Sequence, residues 1–387
     1  MKKSKKLMCL ALSAAFAVSA LAGCGNSGKG SSSEPTYKIG AIGPVTGSAG
    51  AYGEAVKKGA QLAADEINAN GGINGAKIEF KFEDDENDAE KAVNAYNTLK
   101  DWGMQMLMGT VTSAPCIAVE SEAANDNMFL LTPSGTAVDC ISGSNAFRVC
   151  FSDPAQGTKS AEYISENNIA TKVACIYDSS DPYSSGIYQN FAAAAPDKGM
   201  EVVAAEAFTA DSKTDFKVQL QKVKDSGAEL VFLPIYYTEA ALLLQQAKDI
   251  NFSPIFFGCD GLDGLLDVEN FDASLAEGVM LLTPFAADAE DEKTQQFVKA
   301  YSEKYNEAAP IQFAADAYDA IYTIKAAAEE AGTKADMSNS DLCDALVAAM
   351  PKITVEGVTG TITWAEDGEP DKEPKAVKIE SGAYVAL

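Results

Sequence analysis

Short apolar runs alternate with helix-length amphipathic stretches from residue 37 onward. The first set has the runs YKIGAIG, KIEFKF and MQMLMG, separated by the amphipathic segments 54–70 and 89–102. Short apolar runs bounded by turn signals are typical of strands, and apolar residues every three to four positions are typical of helices. The pattern predicts a βαβαβ order. Asn70-Gly71-Gly72 ends the first helix and Asn87-Asp88 begins the second, as expected at helix termini.

A second complete set follows along the chain. Its strands are VACIYD, MEVVAAEAF, AELVFLPI and PIFFG, and its helices are 183–195, 215–224 and 239–249. Parallel strands joined by crossover helices form a sheet with helices on both faces. The sequence therefore predicts the α/β class, with two doubly wound parallel-sheet lobes.

The final third is richer in helix and does not form a third set. Segments 291–306 and 313–331 are long and amphipathic, and GVTGTITWAEDGEP is typical of a strand followed by a turn. We expect these helices to pack back onto the first lobe, so that a multi-strand hinge joins the lobes. The predicted domains are an N-terminal lobe of residues 37–153 plus 284–370 and a C-terminal lobe of residues 154–283 plus 371–387.

The N-terminus is typical of an exported protein. The basic segment MKKSKK precedes an apolar run over 7–22, and the run ends in Leu21-Ala22-Gly23-Cys24. This ending resembles the bacterial lipobox, so residues 1–23 are predicted as a lipoprotein signal peptide and Cys24 as the lipidated residue. The alternative is an ordinary cleaved signal with an incidental cysteine. The Gly/Ser-rich segment 24–36 predicts a flexible tether, which would hold the domain at the outer face of the cell membrane or in the periplasm.

Composition excludes several classes of function. The chain of 387 residues is 47% hydrophobic and 22% charged, which suits globular domains, and its 30 Lys+Arg against 56 Asp+Glu give a formal charge of -26. A surface so acidic repels phosphate backbones, so we expect no nucleic acid partner. The chain has no histidine, which excludes Ser-His-Asp and Cys-His nucleophile systems and histidine-containing zinc sites. We expect neither an enzyme nor a metal or cofactor.

Six cysteines lie beyond the signal and the predicted anchor, and none forms a CxxC pattern. Cys175 lies inside an apolar run and is predicted to be a small core residue. Cys140 and Cys150 bracket a short polar loop. They either form a disulfide outside the cell or stay reduced, and the sequence leaves both possibilities open.

Several predicted strands are followed by polar loops. The first, 40–47, lacks the GxGxxG spacing and includes Pro44, so it is interpreted as a structural turn. Hydroxyl-rich loops containing Ser113, Ser134 and Thr136 follow two other strands. Loops at the carboxyl ends of parallel strands hold anions through amides, hydroxyls and helix N-termini. A carboxylate site and ordinary helix capping both fit these residues.

A carboxylate and several aromatic residues follow the remaining strands. Asp260 lies between glycines at a strand end, where it would either accept hydrogen bonds from an ammonium or stabilise a turn. The tyrosines either line a small-molecule cleft or are half-buried packing residues. They are Tyr52, Tyr183, Tyr236 and Tyr318.

The order of these segments is similar to one known family over nearly all of the chain after the tether. The segments that carry the resemblance are GPVTGSAGAYGEAVKKGAQLAADEINANGGINGAKIEF, FEDDENDAEKAVNAYNTL, MGTVTSA, LLTPSGTA, ACIYDSSDPYSSG, FGCDGL, AADAYDAI and GVTGTITWAEDG. They resemble the branched-chain amino acid substrate-binding proteins of ABC importers, which have the type I periplasmic binding protein fold.

The resemblance implies a role for each candidate residue. Ser113, Ser134 and Thr136 would hold the ligand α-carboxylate and part of the amino group. Tyr236 and Asp260 would bind the α-ammonium, with Asp260 in the place of a glutamate. The three remaining candidates would border the side-chain pocket and the closing edge of the lobe: Tyr52, Tyr183 and Tyr318.

The resemblance also implies the function and partners. We expect a monomeric extracytoplasmic binding protein of an ABC importer that holds a branched-chain or other aliphatic amino acid between its lobes and delivers it to a membrane permease. One alternative keeps the fold and binds an amide, urea or an aromatic acid. A second alternative is a ligand-sensing ectodomain that reports to a receptor.

Overall fold

Two large sheets carry the fold in a computed structural model that describes residues 35–307 and 309–387. The strands of the described residues are β1 Thr36–Gly43, β2 Lys77–Asp84, β3 Met106–Gly109, β4 Phe129–Thr132, β5 Ala146–Arg148, β6 Lys172–Asp178, β7 Glu201–Phe208, β8 Leu230–Leu233, β9 Ile255–Gly258, β10 Met280–Thr283, β11 Thr354–Gly357, β12 Gly360–Trp364, β13 Pro370–Asp371, β14 Lys375–Glu380 and β15 Ala383–Ala386. The helices are α1 Gly50–Ala69, α2 Ala89–Trp102, α3 Ser113–Asp126, α4 Asp153–Glu166, α5 Pro182–Ala194, α6 Lys217–Asp225, α7 Tyr237–Asp249, α8 Glu292–Tyr305, α9 Gln312–Glu330 and α10 Asn339–Ala349. Among these helices, none combines the length and hydropathy that crossing a bilayer requires.

The two sheets share one strand order. The first has the order β2-β1-β3-β4-β5 and is parallel throughout. The second has the order β15-β14-β10-β9-β8-β6-β7, in which β6 to β10 are parallel, β14 is antiparallel to β10, and β15 is antiparallel to β14. Counted within its own lobe, each parallel set has the order 2-1-3-4-5. The predicted class, α/β with two doubly wound lobes, is confirmed, whereas the residue boundaries proposed for the lobes stay a prediction.

Helices cover both faces of the first sheet. Along β3, Met106 and Met108 belong to one buried cluster and Leu107 to another, as the alternation of side chains along a strand requires. The first cluster is covered by α1 and α9, and the second by α2 and α3. Because α9 packs along α1, a segment late in the sequence completes the core around β1.

The start of α1 differs from the prediction. The sequence predicted a helix from residue 54, but α1 begins at Gly50. Glycine is a poor helix former, so Gly50 and Gly53 kept the sequence pattern from indicating the first turn of α1. Packing explains Gly53, because a Cβ there would lie 1.8 Å from the carbonyl oxygen of Pro44. The glycine lets the first turn of α1 lie directly on the loop after β1.

The chain passes between the two sheets three times, after β5, after β10 and after β13. Lys372 connects two of these crossings with α9. Its buried ammonium donates to the carbonyl oxygen of Val149 at 3.0 Å and to Asp316 Oδ1 at 3.2 Å. The three crossings form the hinge between the lobes, and Lys372 holds two of them together.

Candidate functional site

The candidate residues occupy equivalent positions in the two lobes. In an open α/β sheet, ligands bind beyond the carboxyl ends of the strands, at the point where the strand order reverses. Tyr52 and Tyr183 follow the first strand of their lobes, Ser113 and Tyr236 the third, and Ser134 and Asp260 the fourth. The shared strand order therefore brings both sets of loops to one cleft, and all six residues line it.

The first lobe contributes hydroxyl and amide groups. Ser113 is the first residue of α3, and its Oγ accepts the Ala137 N–H at 3.2 Å and lies 3.5 Å from Thr136 Oγ1. Thr136 is fully buried beside Ser113 rather than on the cleft wall. The Ser134 hydroxyl donates to the carbonyl oxygen of Val111 at 2.8 Å. It therefore ties the two hydroxyl-rich loops together, and the N-terminal end of α3 faces the cleft with its partial positive charge.

The second lobe contributes a buried carboxylate. Asp260 Oδ1 accepts the Tyr183 hydroxyl at 2.8 Å, and the same hydroxyl oxygen accepts the Gly261 N–H at 2.9 Å. Burial raises the pKa of Asp260 to about 6, although hydrogen bonds from Tyr183, Gln156 and Gly261 oppose the rise. The group is thus largely ionised near neutral pH and has only uncharged hydrogen-bond partners among the described residues.

Two further aspartates lie close to the cleft. Burial raises the pKa of Asp153, at the start of α4, well above its usual value despite a hydrogen bond with Thr136. Burial also raises the pKa of Asp181, which is hydrogen-bonded to Tyr236, to about 7. Burial thus favours the uncharged form of Asp153, and at neutral pH Asp181 is partly protonated. Asp260 is consequently the carboxylate of this group that most readily carries a charge.

Aromatic rings form the remaining wall. Tyr52 stacks on Phe313 with ring centroids 4.1 Å apart, and Tyr183 stacks on Tyr236 at 4.9 Å. The Tyr52 hydroxyl donates to the carbonyl oxygen of Gly261 at 2.5 Å and so joins α1 of the first lobe to the Asp260 loop of the second. This wall suits the apolar part of a small ligand.

The cleft is tightly closed in this structure. Its residues enclose about 10 Å³, room for about one water molecule. Besides Tyr52, the edges of the lobes are joined by Thr238, whose hydroxyl donates to the carbonyl oxygen of Ser48 at 2.5 Å. Entry of a ligand the size of an amino acid therefore requires the lobes to move apart or the aromatic side chains to shift.

Tyr318 does not lie in this cleft, which corrects the prediction at that position. Its hydroxyl donates to Glu66 Oε2 at 2.6 Å, and it lines a separate groove of about 420 Å³ beside Phe297. Phe313, on the same helix, faces the cleft instead. Five residues correspond to about 140° around a helix, so Phe313 and Tyr318 point to different sides of α9.

The sequence reasoning missed three residues around the site: Phe313, Gln156 and Gln312. Gln156 Oε1 accepts the Asp260 N–H at 3.2 Å, and Gln312 Nε2 donates to the Asp260 carbonyl oxygen at 2.7 Å. Gln156 and Gln312 come from the first turns of helices, a place where polar side chains are ordinary. Only the tertiary structure shows that they hold the backbone of the Asp260 loop.

All six cysteines of the described residues are unpaired and buried, including Cys140 and Cys150. The described residues contain no group of three His, Cys, Asp or Glu side chains placed to hold a metal ion. Cys24, the predicted lipidation site, lies outside the described residues.

Two hinged α/β lobes with opposed polar groups at their strand ends define a two-lobed solute-binding protein. The sequence model of one family, described as periplasmic binding protein, matches residues 36–383. The chain belongs to this family, whose members bind solutes outside the cytoplasm, and its fold is the type I fold.

Relatives support the same assignment. The chain is 31% identical to the Leu/Ile/Val-binding protein homolog 3 of Brucella melitensis, over 86% of this chain and 88% of the relative. It is 30% identical to the leucine-, isoleucine-, valine-, threonine- and alanine-binding protein of Pseudomonas aeruginosa, over 92% of each.

Solved structures support the same family assignment. The branched-chain amino acid transporter substrate-binding protein LivJ of Streptococcus pneumoniae, in complex with isoleucine, superposes with a TM-score of 0.81 at 31% identity, over 91% of this chain and 100% of that one. The leucine-binding protein LivK of Thermotoga maritima gives a TM-score of 0.82 at 26% identity, over 91% and 98%. A benzoate-binding protein of R. palustris, at 20% identity and a TM-score of 0.80 over 91% and 95%, shares the fold.

Proposed function

We propose that this protein binds a branched-chain or other aliphatic α-amino acid between its lobes and delivers it to the permease of an ABC importer. The opposed polar groups of the cleft carry the proposal. The first lobe offers the Ser113 hydroxyl, with Thr136 buried beside it, together with amides and a helix N-terminus, which suit a carboxylate. The second lobe offers Asp260, which suits an ammonium. An α-amino acid carries both groups on the same carbon atom.

The aromatic wall supports an apolar side chain on the ligand. Tyr52, Phe313, Tyr183 and Tyr236 form stacked pairs beside the polar groups. Binding proteins related to this chain by about 30% identity are named for leucine, isoleucine and valine. A ligand bridging the lobes would favour the closed arrangement by its differential affinity, and periplasmic binding proteins are a known case of hinge closure around a ligand.

A thermal-shift panel on the protein, freed of bound ligand by unfolding and refolding, tests the proposal. Ligand at about 100 times its Kd should add roughly 2.7 kcal/mol to the stability, a shift of several degrees. We expect leucine, isoleucine or valine to give the largest shift. A response to urea, amides or aromatic acids with none to amino acids would contradict it. A response to no solute would favour a sensing role.

We further propose that the monomeric protein is held at the outer face of the membrane by a lipid on Cys24. The support is the sequence Leu21-Ala22-Gly23-Cys24 after the apolar run. Replacing Cys24 with serine should release the protein into the soluble fraction, whereas the parent stays with membranes. Equal membrane association of both would contradict the anchor.

A further inference from the structure

Arg148 is the only arginine of the chain and is fully buried at the end of β5. Its backbone is fixed by the turn between β12 and β13. The Trp364 indole N–H donates to the Arg148 carbonyl oxygen at 2.7 Å, and the Arg148 N–H donates to the Gly368 carbonyl oxygen at 3.2 Å. Burying a cation is costly, so its placement requires an explanation in terms of what it contacts.

The guanidinium contacts four consecutive carbonyl groups. Nη1 donates to the oxygens of Gly135 at 3.0 Å and Thr136 at 2.6 Å. Nη2 donates to those of Ala137 at 3.1 Å and Val138 at 3.3 Å. All four belong to the loop after β4, which also carries Ser134 and which we call the β4 loop, residues 134–138.

These contacts fix the direction of the amides in the β4 loop. The C=O and N–H of a trans peptide point in opposite directions, so carbonyls held by Arg148 turn the following N–H groups away from it. The Ala137 N–H does point away, to Ser113 Oγ on the cleft side. No hydrogen bond between described residues uses the Thr136 N–H, which belongs to the peptide whose carbonyl Arg148 also holds.

Arg148 has one close counter-charge among the described residues. Glu369 Oε1 lies 3.3 Å from Nη2, and 37% of that side chain is exposed, so this pair is weaker than a fully buried one. Asp153 also faces the guanidinium, and its burial favours the uncharged form. Lys372, the other buried cation nearby, is paired with Asp316. Arg148 is thus the cation directly behind the β4 loop.

We propose that Arg148 is a positioning residue for a ligand carboxylate. It acts from behind the β4 loop and does not contact the carboxylate. The guanidinium orients the amides toward the cleft and polarises their peptide groups. Its charge also stabilises an anion bound beside Ser113 and Thr136, because screening is weak in the buried interior. The inference rests on the proposed function, since it requires a carboxylate ligand.

A pair of ligands that differ only in the carboxylate tests the role. L-Leucine and L-leucinamide share the ammonium and the side chain, and their Kd values are measured by calorimetry on the full-length protein. Arg148→Met should weaken leucine binding by about 10- to 100-fold and leucinamide binding by much less, so the preference for leucine shrinks. Arg148→Lys keeps the charge and should restore part of the preference.

Control variants separate orientation by charge from simple support of the fold. Trp364→Phe removes a hydrogen bond to the backbone of Arg148 but keeps the cation, so the preference for leucine over leucinamide should be largely retained. Glu369→Gln removes the counter-charge, so leucine binding should be unchanged or tighter. Should Arg148→Met fail to fold, judged by circular dichroism, Arg148→Lys and Glu369→Gln still decide the question.

The outcomes distinguish the two proposals. Equal weakening of both ligands by Arg148→Met would reduce Arg148 to a structural residue, as would a selective loss of leucine binding in Glu369→Gln. If the parent protein binds neither leucine nor any other amino acid of the panel, the proposed function fails instead.

Discussion

The charge of Asp260 has no cationic partner among the described residues until a ligand binds. The carboxylate is buried, and the groups that hydrogen-bond to this residue, the Tyr183 hydroxyl, the Gln156 side chain and the Gly261 amide, carry no charge. A buried charge without a cation is unfavourable, and this is why the pKa of Asp260 rises to about 6. A ligand ammonium would supply the missing charge.

Ligand affinity should therefore depend on pH near 6. Below pH 6, Asp260 of the free protein is protonated, and a neutral carboxyl is a poor partner for an ammonium. We expect the Kd for leucine to increase by up to about tenfold per pH unit below 6 and to level off above 7. Calorimetry between pH 4.5 and 8 measures this, and a flat profile would be inconsistent with Asp260 as the ammonium partner.

Asp260→Asn removes the charge at nearly constant shape. Loss of one partner of a buried charge pair costs about 2–5 kcal/mol, or roughly 30-fold or more in Kd, and the pH dependence near 6 should disappear. Asp197→Asn, at an exposed aspartate of the same lobe, is the control. Binding by Asp260→Asn as tight as that of the control would refute the assignment.

The sequence predicted those residues of the site that directly follow a predicted strand. Ser113, Ser134 and Asp260 follow apolar runs, and sheet topology brings such positions together. Phe313 was not predictable in this way, because it lies in the first turn of α9, where an apolar residue is as suited to core packing as to a cleft. Tyr318 was named as an aromatic candidate whose role the family resemblance implied, whereas in the structure its hydroxyl binds Glu66.

Helices α1 and α9 together position the aromatic wall, and they approach unusually closely. A Cβ on Gly59 of α1 would lie 2.0 Å from the carbonyl oxygen of Ala314 in α9. The same helices carry Tyr52 and Phe313, whose rings stack at 4.1 Å. The spacing of one helix pair thus sets both the core of the first lobe and the shape of the cleft.

Gly59→Ala should destabilise the protein, although alanine is the better helix former. The added methyl forces the helices apart, and overpacking of this kind costs roughly 1–3 kcal/mol, against a gain of up to about 1 kcal/mol in helix propensity. Denaturant unfolding measures the change. Lys57→Ala, on the exposed side of α1, is the control. A Gly59→Ala protein as stable as the control would show that the backbones separate at no cost.

The spacing of apolar residues predicted the elements that bury one face and expose the other. Helix α2 matches the predicted residues 89–102, and the five helices predicted after it differ by at most two residues at either end. Helix α3 was missed because its buried face mixes Cys116 and Val119 with Ser113 and Glu120, which breaks the apolar period. Strands β14 and β15 were missed since lysine and exposed positions interrupt their short runs.

At the scale of the whole molecule, buried acids dominate the response to pH. Burial raises the pKa of five aspartates to about 6 or 7: Asp85, Asp181, Asp260, Asp263 and Asp316. In an unfolded chain these groups titrate near 3.9. Between these values the folded state binds more protons than the unfolded state, so stability falls as the pH rises.

The ligand-free protein should thus melt at a higher temperature at pH 5 than at pH 8. Aspartates whose pKa is lowered, such as Asp84 and Asp291, are ionised in both states throughout this range and do not oppose the trend. Calorimetric scans at several pH values measure it. Asp263→Asn removes one of the five groups and should flatten the slope. A Tm that rises from pH 5 to pH 8 would contradict the prediction.

The three crossings of the hinge also decide the order in which the molecule can fold. The first sheet is complete at Arg148, but α9, which seals its core against α1, is synthesised some 160 residues later, after the whole parallel set of the second lobe. The second lobe is likewise incomplete until β14 pairs with β10. Contacts so distant in sequence slow folding. Each lobe is therefore completed by a segment synthesised after most of the other lobe, and a nascent chain halted before α9 would expose the apolar face of α1.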